Sequence, residues 1–310
     1  SYIYPSASGS FIFSKFLNIE NSILSFGKVR ASWAKVGGDT DPYQLNLSYG
    51  LSNVIFQGTS LGVINASKVP YRDLKPTSTY SYEFGTDLRF FKGRLSLDLG
   101  YYFQTTKNQI LGLPVSVSTG YSKAMINAGE IQNKGIEMAL SFVPVQTKNF
   151  EWESTINLAK NKNNVKSLHK EVKDYQLAAA RWGNAFIYAS EGQPYGVIVG
   201  PGFKRDPDGN VIFKNGLPTY DSDIKVLGNG TYDFTLGVQQ SFHYKGLSLS
   251  VLFDMKWGAD LYSMSARQSH ANGTSKETLR GRAEWYESEE QRKANNVSEA
   301  NWTATGGFVG

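Results

Sequence analysis

Apolar and polar residues alternate along much of this chain. Between 94 and 105 the order is RLSLDLGYYFQT. Leu95, Leu97, Leu99, Tyr101 and Phe103 share one face, and Ser96, Asp98, Gly100, Tyr102 and Gln104 share the other. A period of two with one apolar and one polar face predicts a β-strand. The preceding stretch 80–91 behaves alike, with Tyr80, Tyr82, Phe84, Leu88 and Phe90 opposing Ser81, Glu83, Gly85, Asp87 and Arg89. Only Lys92-Gly93 separates the two runs, which predicts a tight hairpin. The unit recurs at 133–145 with 150–161 and at 231–243 with 247–259. A less regular pair is expected at 9–17 with 24–36, giving four hairpins in all.

The short joints all fall at one end of these hairpins. The other ends are joined by long segments at about 37–79, 106–132, 162–230 and 260–310. Compact domains rarely carry such connections, whereas outer-membrane barrels pair short periplasmic turns with long extracellular loops. Aromatic residues also stand at both ends of the apolar faces. Trp33, Trp257, Tyr80, Tyr82 and Tyr232 lie toward the loops, and Trp152, Phe90 and Phe242 toward the turns. Girdles of this kind mark the two membrane interfaces. A soluble antiparallel sandwich also has one wet face per sheet, but it needs neither girdles nor one-sided loops. The fold expected is all-β, a transmembrane antiparallel barrel wall. One helix is expected in the last loop at 274–294, from a capping box between Thr274 and Glu277 and an apolar face of Leu279, Ala283 and Tyr286. Asn295-Asn296 should end it. Asp208-Gly209 marks a turn within 200–220.

Composition supports this picture. The chain has 310 residues, of which 14% are aromatic, with 31 Gly, no Cys and a formal net charge of +5. The absence of Cys excludes disulfide scaffolds and thiol chemistry. No apolar run reaches the ~18 residues of a transmembrane helix, a test that does not bear on barrels. The charge is spread out, so no nucleic-acid partner is expected. The chain opens on Ser1 with no signal-peptide pattern.

Several segments carry a resemblance. The run NAGEIQNKGIEMAL (127–140), leading to FEWESTINLAKNKNNV (150–165), is the most specific. FGKVRASWAKVGGDTDPY (26–43), EGQPYGVIVGPGFKRDPDGNVIF (191–213) and LGNGTYDFTLGVQQSFHYKGLSLSVLFDMKWGADLYS (227–263) follow the same order, as does TLRGRAEWYESEEQRKANN near the end. Together they resemble the SusC/RagA-type TonB-dependent outer-membrane transporters of Bacteroidetes-type Gram-negative bacteria. The resemblance implies a barrel of roughly 22 strands, filled by a plug and coupled to TonB through an N-terminal part that this chain does not match. It also implies a SusD-like surface lipoprotein as partner and an oligosaccharide or peptide as cargo. Residues 1–310 are then expected to be a partial barrel domain. About eight strands would form an arc of the wall, with plug, Ton box and further strands outside it.

Candidate chemistry is sparse. Only three His are present, His169, His243 and His270, and none is spaced for a metal. Asp206, Asp208 and Asn210, followed by Asp221 and Asp223, imitate the start of a calcium loop. Gly209 and Leu217 then stand where the EF-hand pattern wants other residues, so a bare turn outweighs Ca²⁺ in the 206–223 loop, and no other cofactor is expected. Polar-face residues Lys28, Arg30, Glu83, Asp87, Arg89, Asp98, Tyr102 and Glu137 are expected to face the lumen or a plug. Their carboxylates could form an acid–base pair, but a hydrated lumen is the simpler reading. Nucleophile-elbow and Walker loops are absent, and no enzyme is expected. Trp182, Tyr188, Tyr195, Trp285 and Tyr286 lie in loops, where aromatic faces suit sugar rings, peptide side chains or a protein partner. The function expected is active import of a large nutrient across the outer membrane. A passive porin or surface adhesin barrel is the next reading, and a soluble β-sandwich glycan-binding module the third.

Overall fold

The computed structural model describes residues 3–19, 23–39, 46–47, 49–64, 69–70, 73–170, 172–181, 185–214 and 217–296. Its main feature is one antiparallel sheet of eight strands. We number these β1 (Ser6–Phe11), β2 (Leu24–Gly38), β3 (Thr77–Phe90), β4 (Leu95–Lys107), β5 (Glu130–Gln146), β6 (Phe150–Ser167), β7 (Phe234–Tyr244) and β8 (Leu247–Trp257). Each pairs with its sequence neighbours, so spatial order follows chain order. Among the described residues β1 does not pair with β8. The sheet is an open arc, as expected, and not a closed eight-stranded barrel.

Register fixes the faces. One row of direct neighbours runs Val29, Thr86, Leu99, Met138, Leu158 and Leu236. The adjacent row runs Ser10, Arg30, Gly85, Gly100, Glu137 and Ala159. Alternation within each strand therefore becomes one continuous apolar face and one continuous polar face. The apolar face is bare in the isolated chain: Leu249 is 60% exposed and Trp257 63%. Two polar residues on that face satisfy one another. The Trp152 Nε1–H donates to Gln240 Oε1 at 2.7 Å, and Gln240 Nε2 donates to Ser154 Oγ at 2.7 Å. Ser154 is only 2% exposed.

Short joints close one end. Phe91–Gly93 forms a 3-10 turn between β3 and β4, with Lys92 at φ 58°. Thr147 N–H donates to the Phe150 carbonyl at 2.8 Å between β5 and β6, and Lys245, at φ 51°, turns β7 into β8. At the opposite end the long connections hold small hairpins of their own, Tyr49–Phe56 with Thr59–Ile64 and Ile110–Pro114 with Lys123–Asn127. The best-buried apolar side chains are also there: Val165 at the outer end of β6 and Val197 are both below 2% exposed. Val165 exchanges backbone bonds with the loop at Gly192 and Gln193.

Two expectations are corrected. The strand expected at 9–17 is β1 at Ser6–Phe11 followed by a helical turn, α1 (Phe13–Phe16). Phe13, Phe16 and Leu17 have helical spacing, and the Phe13 ring lies where a side chain on Gly27 would sit. The single helix expected at 274–294 is instead a 3-10 turn at Lys276–Leu279 followed by a shorter helix, α3 (Arg282–Ala294), and a separate helix, α2 (Met264–Ala271), precedes them. The Thr274–Glu277 box does not form. Ser263 caps α2 by accepting from Ala266 N–H at 3.1 Å, and Gly281 breaks the path at φ 74°. Asn295 does close α3. The chain divides into two compact units. The first, Ser1–Leu177, Ile187–Val197 and Asn229–Asp260, holds the large sheet. The second, Ala178–Phe186, Ile198–Gly228 and Leu261–Gly310, holds the helices α2 and α3.

Candidate functional site

All eight polar-face candidates fall on one side of the sheet. Arg30 on β2 reaches Asp98 on β4 with both nitrogens, Nη1 to Oδ2 at 3.0 Å and Nη2 to Oδ1 at 2.6 Å. Lys28 lies 3.4 Å from Asp87, and Arg89 3.9 Å from the same carboxylate. Asp87 and Asp98 are direct cross-strand partners, so three cations offset a like-charge pair. The sheet thus matches the charges of Asp87 and Asp98 within itself. Both side chains of the Arg30–Asp98 pair are partly solvated, which holds its worth to at most about 1 kcal/mol.

Two long side chains cross a strand to reach the next but one, and each crosses at a glycine. Arg30 passes over Gly85, where a Cβ would lie 2.5 Å from Arg30 Nε. Tyr102 passes over Gly135, where a Cβ would lie 2.5 Å from Tyr102 Oη. Tyr102 Oη then donates to Asn161 Oδ1 at 3.1 Å, Asn161 and Asn163 donate to Asn133 Oδ1 at 3.3 and 2.7 Å, and Asn163 Oδ1 accepts from the Tyr195 backbone N–H at 2.8 Å. This network connects the polar face to the loop above it. Arg30, Glu83, Tyr102, Gln104, Asn133 and Glu137 line a trough of about 720 Å³. Its chemistry is hydroxyl, amide and carboxylate, with the Arg30 guanidinium at its wall. The sequence reading passed over Gly85, Gly135 and the three asparagines. The available signal was glycine at polar-face positions of a strand, which marks close approach.

The loop candidates separate. Tyr195 is half-buried, and burial pushes its phenol above the ordinary range. Trp182 lies outside the described residues. Trp285 and Tyr286 on α3 meet edge to face at 5.1 Å and stay 44% and 59% exposed. In the 206–223 loop the Asp206 carboxylate accepts from the backbone N–H groups of Asp208 and Asn210 and from the Asn210 side chain, which holds its pKa below the usual range. Among the described residues no three His, Cys, Asp or Glu side chains gather to hold a metal.

Residues 5–182 match the family model described as TonB dependent receptor-like, beta-barrel. The chain belongs to this family. Similar curated proteins include TonB-dependent receptor P26 of Formosa agariphila, 27% identical over 87% of this chain and 29% of its own length. TonB-dependent receptor SusC of Bacteroides thetaiotaomicron is 25% identical over 68% of this chain and 22% of its own. The chain thus spans under a third of the length of these relatives. In fold it superposes on a chain of the RagAB peptide transporter with a TM-score of 0.69 at 20% identity, covering 82% of this chain and 29% of that one. In a TonB-dependent receptor-like barrel the polar face is the lumen and the apolar face meets lipid. The soluble sandwich is thereby set aside. Leu97, Leu99, Leu249 and Val251 lie on the apolar face and Ser96, Asp98, Ser248 and Ser250 on the polar face, as alternation alone predicts.

Proposed function

We propose that this chain forms part of the wall of a TonB-dependent, SusC-like importer in the outer membrane of a Bacteroidetes-type bacterium. The observation that carries the reading is the open eight-strand meander with one apolar and one polar face, within a family-matched sequence. An open edge in lipid leaves backbone groups unpaired at several kcal/mol each, so a wall of this kind works as part of a larger closed barrel. The wall is passive scaffold. The polar trough and its asparagine network give a cargo-compatible, hydrated lining, and the loops supply the capture surface. A SusD-like lipoprotein serves as the outer lid, and TonB drives the plug. The cargo is an oligosaccharide, suited to stacking on aromatic faces and to hydroxyl and amide partners. A peptide is the second reading, favoured by the likeness in fold to a peptide transporter. Uptake by the intact protein in cells with and without TonB is the test. Loss of uptake without TonB is the expected result, and uptake that persists would replace this reading with the passive porin.

A further inference from the structure

The lipid face carries a cluster of three lysines that find no ion-pair partner among the described residues. On β5 its residues run Phe142, Leu140, Met138 and Ile136, then change to Lys134. On β6 they run Ile156 and Leu158, then Lys160 and Lys162. The intervening Gly135 and Asn161 lie against Tyr102 on the lumen side, which sets the three lysines outward. Lys134 and Lys162 are direct cross-strand partners, and Lys160 is the next residue along the same face. All three are exposed. Ammonium groups at paired positions repel. Among the described residues none of the three has an ion-pair partner, whereas Lys107, on the same face of β4, has Glu130 at 3.5 Å.

Their height gives the charge a use. From the turn at Phe150, a strand rising ~3.3 Å per residue and tilted ~40° climbs roughly 25–30 Å by 160–162. That is about the top of the ~25 Å apolar band, at the headgroups on the loop side. Beside the lysines the same face offers Phe103, the direct neighbour of Lys134, and Ile136, the direct neighbour of Lys160, and one step below it offers Tyr101, Met138 and Leu158. Resting on the membrane-wall reading above, we propose that Lys134, Lys160 and Lys162 bind the phosphate groups of an anionic glycolipid in the outer leaflet. Three ammonium groups within one cross-strand neighbourhood can share phosphate oxygens, and the anion removes the repulsion between Lys134 and Lys162. Free phosphate has the same headgroup chemistry. The apolar surface running down from the lysines selects a lipid, because it gives acyl chains a place to lie.

The test is native mass spectrometry of the intact protein in neutral detergent, titrated with a phosphorylated disaccharide lipid, the same lipid dephosphorylated, and inorganic phosphate. The phosphorylated lipid should bind at least tenfold more tightly than its dephosphorylated form and resist displacement by millimolar phosphate. The variant Lys134→Gln/Lys160→Gln/Lys162→Gln should lose that preference, the triple Lys→Arg variant should keep it, and Lys245→Gln at the opposite end should leave it unchanged. Heat-modifiable migration checks that each variant folds. Equal binding of both lipids, or an unchanged preference in the folded triple Gln variant, overturns the proposal, as does displacement by millimolar phosphate. A protein that stays dispersed without detergent instead overturns the membrane-wall reading beneath it.

Discussion

Gly85 stands directly opposite Arg30, and the missing side chain is what lets the guanidinium cross β3 to Asp98. The same device recurs where Tyr102 crosses β5 at Gly135. The two crossings differ in one respect. The nearest atoms a Cβ at Gly85 would meet all belong to the Arg30 side chain, whereas a Cβ at Gly135 also meets the Lys160 backbone carbonyl at 2.5 Å.

That difference predicts opposite double-mutant behaviour. Gly85→Ala should cost about 1–3 kcal/mol by overpacking, and Arg30→Ala should remove most of the cost, a coupling of about 1 kcal/mol or more. Gly135→Ala should stay destabilising in a Tyr102→Ala background, because the carbonyl remains. Thermal unfolding of the detergent-solubilised barrel measures both cycles.

Face assignment is tested by charge insertion. Leu97→Arg places a cation in lipid and should cost about 2–4 kcal/mol, and Ser96→Arg, in the lumen, much less. Equal loss of heat-stable migration in the two variants would reverse the assigned faces.

The α2 junction should respond to pH. His270 Nδ1 faces the Ala266 carbonyl at 2.8 Å and Nε2 faces the Glu277 carboxylate at 2.5 Å. Both partners are acceptors, so the doubly protonated ring fits best, and its pKa is raised, first by the carbonyl and then by Glu277. A raised folded-state pKa gives stability that is complete below the unfolded imidazole value of about 6.5 and is lost as pH rises through the folded value. Hydrogen-exchange protection in 264–281, taken relative to the intrinsic exchange rate at each pH, should therefore be greater at about pH 5.5 than at about pH 8, and His270→Gln should flatten the difference.

Trp285 and Tyr286 form an exposed aromatic pair beside Glu284, Glu287 and Glu290. An aromatic centre with a polar rim suits a protein contact. If it meets the lid, Trp285→Ala with Tyr286→Ala should weaken lipoprotein co-purification by tenfold or more while the barrel stays folded. Unchanged co-purification removes this helix from the contact.

What the chain determines by itself is local. A period of two is written in consecutive residues, so the strands around Leu97, Ile156 and Leu249, their short joints and both faces were legible. So was the side on which Arg30, Glu83 and Glu137 fall, because parity within a strand needs no partner. Helical detail was less legible. α1 depends on the space over Gly27, and the break between α2 and α3 depends on a left-handed Gly281 that a helical face does not reveal. What tertiary structure decided is which strands become neighbours, and at what register. Arg30 finds Asp98 across 68 positions of sequence, and Lys134 comes to stand opposite Lys162 only because β5 and β6 pair in one register. A side chain's face follows from the geometry of its own backbone. Its partner follows from hydrogen bonding between strands, which joins residues that sequence spacing keeps apart.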